Sequence, residues 1–483
     1  MDPQSFLTIL PVLIVAGWAS LLLLIDLFIP KERGWITPLL AALGLVAAMI
    51  ALLSQFNIEA SAFSGMIIVD GFASLLQLLF LVLGLVAIAQ AYDYLRRRGI
   101  ARGEYYMLIM FSLSGMMLMA SAGDLIVVFV SLELLSIPLY VLAGFARPEV
   151  DSEESAMKYF LLGAFASGFV VYGIALIFGV AGTTQLAGVF ESLRAASTIP
   201  TLALVGGGMI MVGLGFKVAA VPFHMWTPDV YQGAPTSVTS FMSVGAKAGG
   251  FAALLRIFIA AFPETASAWG PLTMWISALT MAWGNIAAIA QSNIKRMLAY
   301  SSIAHAGYIF MALPAASVTA VAPEALRGAL FYLVAYGITN LGAWGVVLAL
   351  EKAEGKGLEI EDYAGLGARH PALALAMTVF MLSLTGVPPT IGFIGKFYLF
   401  RAAIDAELFW LAIVGVVTSL ISAYYYLRVI VVMYMQDGEP ERRSELLLNT
   451  TVILTAIATI LFGLLPGPLL QLASQASLLS FLP

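Results

Sequence analysis

Apolar runs follow one another along almost the whole of this 483-residue chain, each about long enough to cross a bilayer. A helix needs about 20 apolar residues to traverse the hydrocarbon layer. On that measure the chain divides into about 14 spans, with approximate limits 6–29, 35–54, 67–93, 105–122, 124–146, 156–181, 202–226, 236–262, 268–290, 297–313, 324–350, 371–403, 407–434 and 449–472. Backbone groups in hydrocarbon have no water to bond, so each segment must satisfy them internally, as a helix does. Only 11% of the residues are charged, against about 25% in a soluble domain. No polar block between the runs is large enough to fold alone. The expectation is an all-α polytopic membrane protein, a single membrane domain over 1–483. The first run is long and lacks a basic leader, so it reads as a span and not as a cleavable signal.

The basic residues orient the chain. Of 23 Lys and Arg, 15 lie in or beside loops that follow odd-numbered spans, three lie on the other side, and Lys217, Lys247, Arg256, Lys396 and Arg428 lie within runs. Basic loops stay on the cytoplasmic side. The bias therefore places both termini outside and supports an even span count.

Two runs carry breaks. The seventh holds Lys217 and then Pro222; the twelfth holds Gly386, Val387, Pro388 and Pro389, then Gly392, Gly395 and Lys396. Proline removes a backbone donor and opens a helix. Broken helices in corresponding positions point to an internal repeat. The two lie five spans apart, and a five-helix unit has odd parity, so its second copy enters the membrane inverted. The expected repeats are 105–262 and 268–434. Simple proline kinks are the alternative at each site.

Glu133, Lys217, Lys247 and Lys396 sit inside these runs. A charge at mid-membrane costs roughly 2.5–3.5 kcal/mol on insertion scales, and such residues usually mark an ion or proton path. Burial favours the neutral form of an ionisable group, and a nearby opposite charge restores the charged one. Glu133 and Lys217 therefore suit a pair that releases a proton when its charges separate; a static buried ion pair is the plainer reading. Lys247 lies among Gly and Ala residues and suits a central acceptor linked by water to Lys217. Lys396 lies nearer a helix end, where a lysine can instead snorkel to the interface. His224 and His305 suit proton relays, since histidine titrates near neutrality, or helix-to-helix hydrogen bonds. Tyr300, Ser301 and Ser302 suit water ordering or interhelical bonds, whereas Tyr424, Tyr425 and Tyr426 read as packing. Asp26 reads as an interfacial acid, and Lys158 and Lys295 as loop-side on hydropathy alone.

With no cysteine, disulfides, thiolate-held iron–sulfur clusters and thiolate catalysis are excluded. No phosphate-binding glycine motif stands between a strand and a helix. The three histidines are scattered, and no metal site is expected. The basic residues form no stripe suited to nucleic acid.

The run KVAAVPFHMWTPDVYQGAPTSVTSFMS (217–243) resembles a signature of the antiporter-like membrane subunits of proton-pumping NADH:quinone oxidoreductase, respiratory complex I. NIKRMLAYSSIAHAGY (293–308) resembles a second one, and GVPPTIGFIGKFYLF (386–400) is most similar to the chain N branch. The resemblance covers nearly the whole chain. It implies a proton channel with Glu133 paired to Lys217, Lys247 at the centre and Lys396 distal. It also brings Lys295 and His305 into the connecting path, and it implies a bacterial inner-membrane location beside other membrane subunits of the complex. NADH, FMN, iron–sulfur clusters and quinone would belong to partner subunits, with none in this chain. A subunit of a multisubunit Na⁺/H⁺ antiporter or of a membrane hydrogenase is the rival reading. A purely structural scaffold is a third, and four buried charges argue against it.

Overall fold

The computed structural model describes residues 3–56, 58–352, 356–476 and 478, with side chains from residue 6 onward. A helix occupies the place of each expected run: Leu10–Asp26, Ile36–Ser54, Gly71–Arg97, Glu104–Ala120, Leu125–Ala143, Val150–Ala181, Thr201–Val218, Thr236–Leu255, Ala266–Ile289, Ile294–Phe310, Ala322–Leu350, Pro371–Thr385 with Ile391–Asp405, Phe409–Met435 and Leu446–Leu464. Among the described residues, ten helical segments are long and apolar enough to cross a membrane by length and composition; Leu10–Asp26, Glu104–Ala120 and Pro371–Thr385 are apolar but shorter.

Local chemistry sets where helices begin. Asp124 accepts the amide of Ile126 at 2.7 Å, and Asn293 accepts those of Lys295 and Arg296 at 3.0 and 3.2 Å. These are side-chain caps on otherwise orphaned donors. Asp70 does the same for Ala73 at 2.8 Å. The third span therefore starts at Gly71 and not at 67: residues Ile67–Val69 instead pair antiparallel with Ala60–Ala62. The short helix Leu186–Ala195 was not expected. It buries Leu186, Val189, Phe190 and Leu193 along one side, an i, i+3, i+4, i+7 spacing that was readable but too short to span.

The loops sort by face. On one face Arg98 meets Glu149 at 2.7 Å, Asn293 bridges Glu359, Lys352 meets Glu441 at 3.3 Å, and Arg97 meets Glu445. These contacts gather the loops after spans three, five, nine, eleven and thirteen, where the basic residues concentrate. On the opposite face Asp124 bridges Gln185, and the Phe6 ring packs on Phe63 at 5.8 Å. Gly71 lies so close to the Gln475 carbonyl that a Cβ would sit 2.3 Å from it. Both described ends of the chain thus share the face opposite the basic loops. Apolar side chains such as Phe165 and Leu420 point outward, while Lys217, Lys247, Asn285 and Asn340 turn inward, the arrangement a hydrocarbon solvent favours.

Both expected breaks exist. Thr201–Val218 ends at Ala219 with φ +62°, and a separate helix, Trp226–Gly233, resumes beyond Pro222. This second half lay outside the span as read from hydropathy, because Thr227, Pro228, Asp229 and Gln232 make it polar. Pro371–Thr385 ends at Gly386 with φ +90°, and Ile391–Asp405 resumes after Pro388 and Pro389. A left-handed residue at a helix C-terminus is the ordinary way to stop it, and glycine takes that conformation without strain.

Candidate functional site

Glu133 lies at the centre of Leu125–Ala143, half-buried, and accepts a 2.5 Å hydrogen bond from Ser167 of the neighbouring helix. Lys217 is buried in the last turn of Thr201–Val218. Its ammonium donates to Ser136 Oγ at 2.8 Å and to Tyr159 OH at 3.0 Å. The expected direct Glu133–Lys217 ion pair is therefore not formed. Ser136 lies one turn beyond Glu133 on the same helix and takes the ammonium, while the carboxylate turns to Ser167. Ser136 Oγ in turn donates to the Leu132 carbonyl of its own helix.

Lys217 and Lys247 sit on neighbouring helices that approach at Gly250, where a Cβ would meet Lys217 Cβ at 3.4 Å and Val218 Cγ1 at 2.7 Å. No hydrogen bond joins the two lysines among the described residues. Aromatic rings stand beside both. Tyr159 stacks on Trp226 at 4.5 Å, Trp226 meets Tyr231 at 5.9 Å, and Lys247 Nζ lies 6.0 Å from the Tyr231 ring. His224 is in the break itself, with its ring 6.0 Å from Trp283 and no hydrogen bond to Nδ1 among the described residues.

Beyond Lys247 the polar contacts run on. Its ammonium donates to the Ser302 carbonyl at 2.5 Å, and Tyr336 donates to Ser302 Oγ at 2.7 Å. His305, one turn along, shares Nδ1 with Tyr332 OH at 2.6 Å and Nε2 with Tyr426 OH at 3.0 Å. Tyr308 lies 5.8 Å from the His305 ring and 4.5 Å beneath the Lys396 ammonium.

Lys396 does not snorkel; it is buried and turned inward. It donates to the carbonyls of Leu384 and Thr385 at 3.0 and 2.9 Å and to Ser419 Oγ at 2.7 Å. Those carbonyls are the unsatisfied end of the first half-helix, where a cation is favoured by the helix dipole. The break thus creates the site that holds the lysine.

Lys295 is buried, not loop-side, and donates to the Ala234 carbonyl at 2.7 Å. It lines a cavity of about 400 Å³ on the basic face with Tyr94, Arg98, Glu149, Asp151 and Glu351. Of these, Arg98 reaches Glu351 at 3.7 Å. Sequence reasoning did not single out Glu351, Tyr94 or Tyr332, and it read as packing Tyr426, whose hydroxyl meets Ser301 and His305. Each is unremarkable in its own segment; only the partner across the bundle gives it meaning. Glu351 sits at the end of an apolar run, a signal that was available.

Two interrupted helices flanking buried, hydrogen-bonded lysines define a polytopic membrane protein of the broken-helix, charge-carrying class. The NADH:quinone oxidoreductase/Mrp antiporter transmembrane family matches residues 122–422. NADH-quinone oxidoreductase subunit N of Chloroflexus aggregans is 48% identical, over 99% of this chain and 98% of its own. A chain of respiratory complex I from Thermus thermophilus superposes with a TM-score of 0.82 at 35% identity, over 96% of this chain and 99% of that one. A chain of the Mrp complex from Dietzia sp. shares the fold at a TM-score of 0.86 and 22% identity, over 99% and 97% of the two chains. The chain belongs to the NADH:quinone oxidoreductase/Mrp antiporter membrane family.

Proposed function

We propose that this chain is a proton-translocating membrane subunit of a bacterial NADH:quinone oxidoreductase, carrying protons along Glu133, Lys217, Lys247 and Lys396. The observation that carries this reading is that the three lysines are buried and hydrogen-bonded to neutral oxygens. Such a cation exchanges its proton more readily than one held by a carboxylate, because desolvation opposes its charge. The sites interact, so protonating one lowers the proton affinity of its neighbours, and their titration belongs to the set. Redox chemistry would take place on other subunits, which hold NADH, FMN, iron–sulfur clusters and quinone. His224, Lys295 and His305 assist: His305 sits between Lys247 and Lys396, and Lys295 borders the cavity on the basic face.

The two breaks support a pair of inverted five-helix units, 105–262 and 268–434, each with a lysine beside its interruption. The basic face is placed in the cytoplasm of the inner membrane and both ends outside, which reporter fusions at each terminus would test. Other membrane subunits of the same complex are the partners. The alternative, exchange of Na⁺ for H⁺ within an Mrp-type assembly, has in its favour a likeness of fold at 22% identity, and the relatives named for NADH oxidation are far more similar in sequence. The deciding experiment is proton transport per NADH oxidised in vesicles containing the assembled complex. Lys217→Ala should lower that ratio; native transport in a fully assembled Lys217→Ala complex would sink the reading.

A further inference from the structure

The helix Thr236–Leu255 has two unlike faces. Thr236, Ser240, Ser243 and Lys247 follow at i, i+4, i+7 and i+11, which stacks them along one side. The opposite side, at Gly245 and Gly249, packs against Met116, Leu83 and Leu135. The polar side is met by polar groups from two other helices. Ser240 donates to Gln90 Oε1 at 2.7 Å, and Asn340 Nδ2 donates to Ser243 Oγ at 2.7 Å. Gln90 is fixed in turn by donating to the Leu341 carbonyl at 2.9 Å. Tyr94, one turn from Gln90, accepts the Thr236 amide at 3.1 Å and donates to Glu351 Oε1 at 3.1 Å. Tyr94 and Glu351 are also walls of the 400 Å³ cavity on the basic face. The groups therefore form a column from that cavity to Lys247.

The column is under-satisfied. Glu351 Oε2, Thr236 Oγ1 and Asn340 Oδ1 have no hydrogen-bond partner among the described residues, and their residues are 2%, 0% and 0% exposed. Tyr231 OH, beside Lys247, is in the same state. Buried polar groups almost always find a partner, and where protein offers none, trapped water commonly supplies it. The gaps to be bridged are one helical turn each, from Thr236 to Ser240 and from Ser243 to Lys247, roughly 5–6 Å of rise, which suits one water apiece.

Resting on the relay reading above, we propose that this column is a hydrated proton path feeding Lys247 from the basic face, with Glu351 as its entry acid. A proton taken up by the Glu351 carboxylate passes by way of Tyr94 OH, bridging water and the Ser240 and Ser243 hydroxyls, which Gln90 and Asn340 orient, to the neutral amine of Lys247, and the carboxylate is restored for the next one. Lys247 is then loaded directly, without a proton first crossing the aromatic rings beside Lys217.

The test compares Asn340→Leu and Gln90→Leu with Lys247→Ala in the assembled complex, as protons moved per NADH oxidised. Both column variants should fall to the Lys247→Ala level, and Glu351→Gln should follow. If Lys247→Ala is impaired while both column variants assemble and pump as the native complex does, the path is wrong and the relay reading stands. If Lys247→Ala itself pumps normally, the relay reading fails and the path falls with it. Radiolytic hydroxyl-radical labelling of the native complex needs no variant. Tyr231 should be oxidised well above Phe80, which is equally buried; equal, negligible labelling of the two would show a dry column and overturn the proposal.

Discussion

Arg256 and the lysines Lys217, Lys247 and Lys396 are all buried cations in one bundle, yet they are held in opposite ways. Arg256 makes a two-pronged pair with Asp70, at 2.9 Å on each side, and donates twice more to the Ala120 carbonyl, at 3.1 and 2.8 Å. Its guanidinium also lies 4.9 Å over the Phe72 ring. That charge is matched in geometry and sign, and arginine does not give up its proton in proteins. Among the described residues, Lys217, Lys247 and Lys396 hydrogen-bond only to hydroxyl and carbonyl oxygens. The first arrangement ties the start of Gly71–Arg97 to the end of the Lys247 helix. The second leaves each ammonium without a carboxylate in contact, the arrangement that the proposed relay requires. A buried cation reports nothing about function until its partner is known.

The largest effect should come from breaking the matched pair. Asp70→Asn leaves Arg256 buried without its counter-charge, which costs about 3–5 kcal/mol. The expected outcome is poor assembly and a sharply lowered melting temperature in detergent, with Asp70→Asn/Arg256→Leu recovering much of it. Next, Lys396→Met should leave the fold standing and reduce proton transport, because the amine has no carboxylate to orphan. A loss of stability as large as that of Asp70→Asn would erase the distinction between the two kinds of site. Third, Tyr426→Phe removes bonds to His305 and Ser301. It should cost about 0.5–1.5 kcal/mol and slow proton transport without abolishing it, as read from initial rates in vesicles.

The smallest effect concerns a partly buried pair on the basic face, Arg97 with Glu445. Burial lifts the Glu445 carboxyl above its usual 4.5, and Arg97 beside it opposes that rise. The folded chain then holds this proton more tightly than the unfolded one. Its contribution is fully present below about pH 4.5 and is lost as pH rises through the folded value. Glu445→Gln should flatten that part of the stability–pH curve and move the neutral-pH stability by at most about 1 kcal/mol. A thermal-melt series across pH 4 to 7 would show it.

Much of the fold could be read from the chain. Runs of apolar residues dictate helices in hydrocarbon, and Pro222, Pro388 and Pro389 dictate where two of them stop. Boundaries failed where polarity misled: Trp226–Gly233 looked like a loop, and Ile67–Val69 looked like the start of a span. Lys295 looked loop-side because it sits beside Asn293 and Arg296, although its ammonium turns inward to Ala234. Glu133 and Lys217 were expected to pair directly and do not, since nothing in either segment reveals that Ser136 takes the ammonium.

What the sequence determined alone was solvent and chemistry: which stretches must be helices in lipid, which face holds the basic loops, and which side chains are too costly there to lack a purpose. Those follow from transfer free energies that act residue by residue. What only the tertiary structure decided was pairing: Arg256 with Asp70, Lys396 with the carbonyls freed at Gly386, and Ser240 and Ser243 with Gln90 and Asn340. Lys396 and its carbonyls are 11 and 12 residues apart across the break, whereas the other partners, 97 to 186 residues apart, meet through helix packing; all depend on ångström-scale geometry that no local pattern encodes.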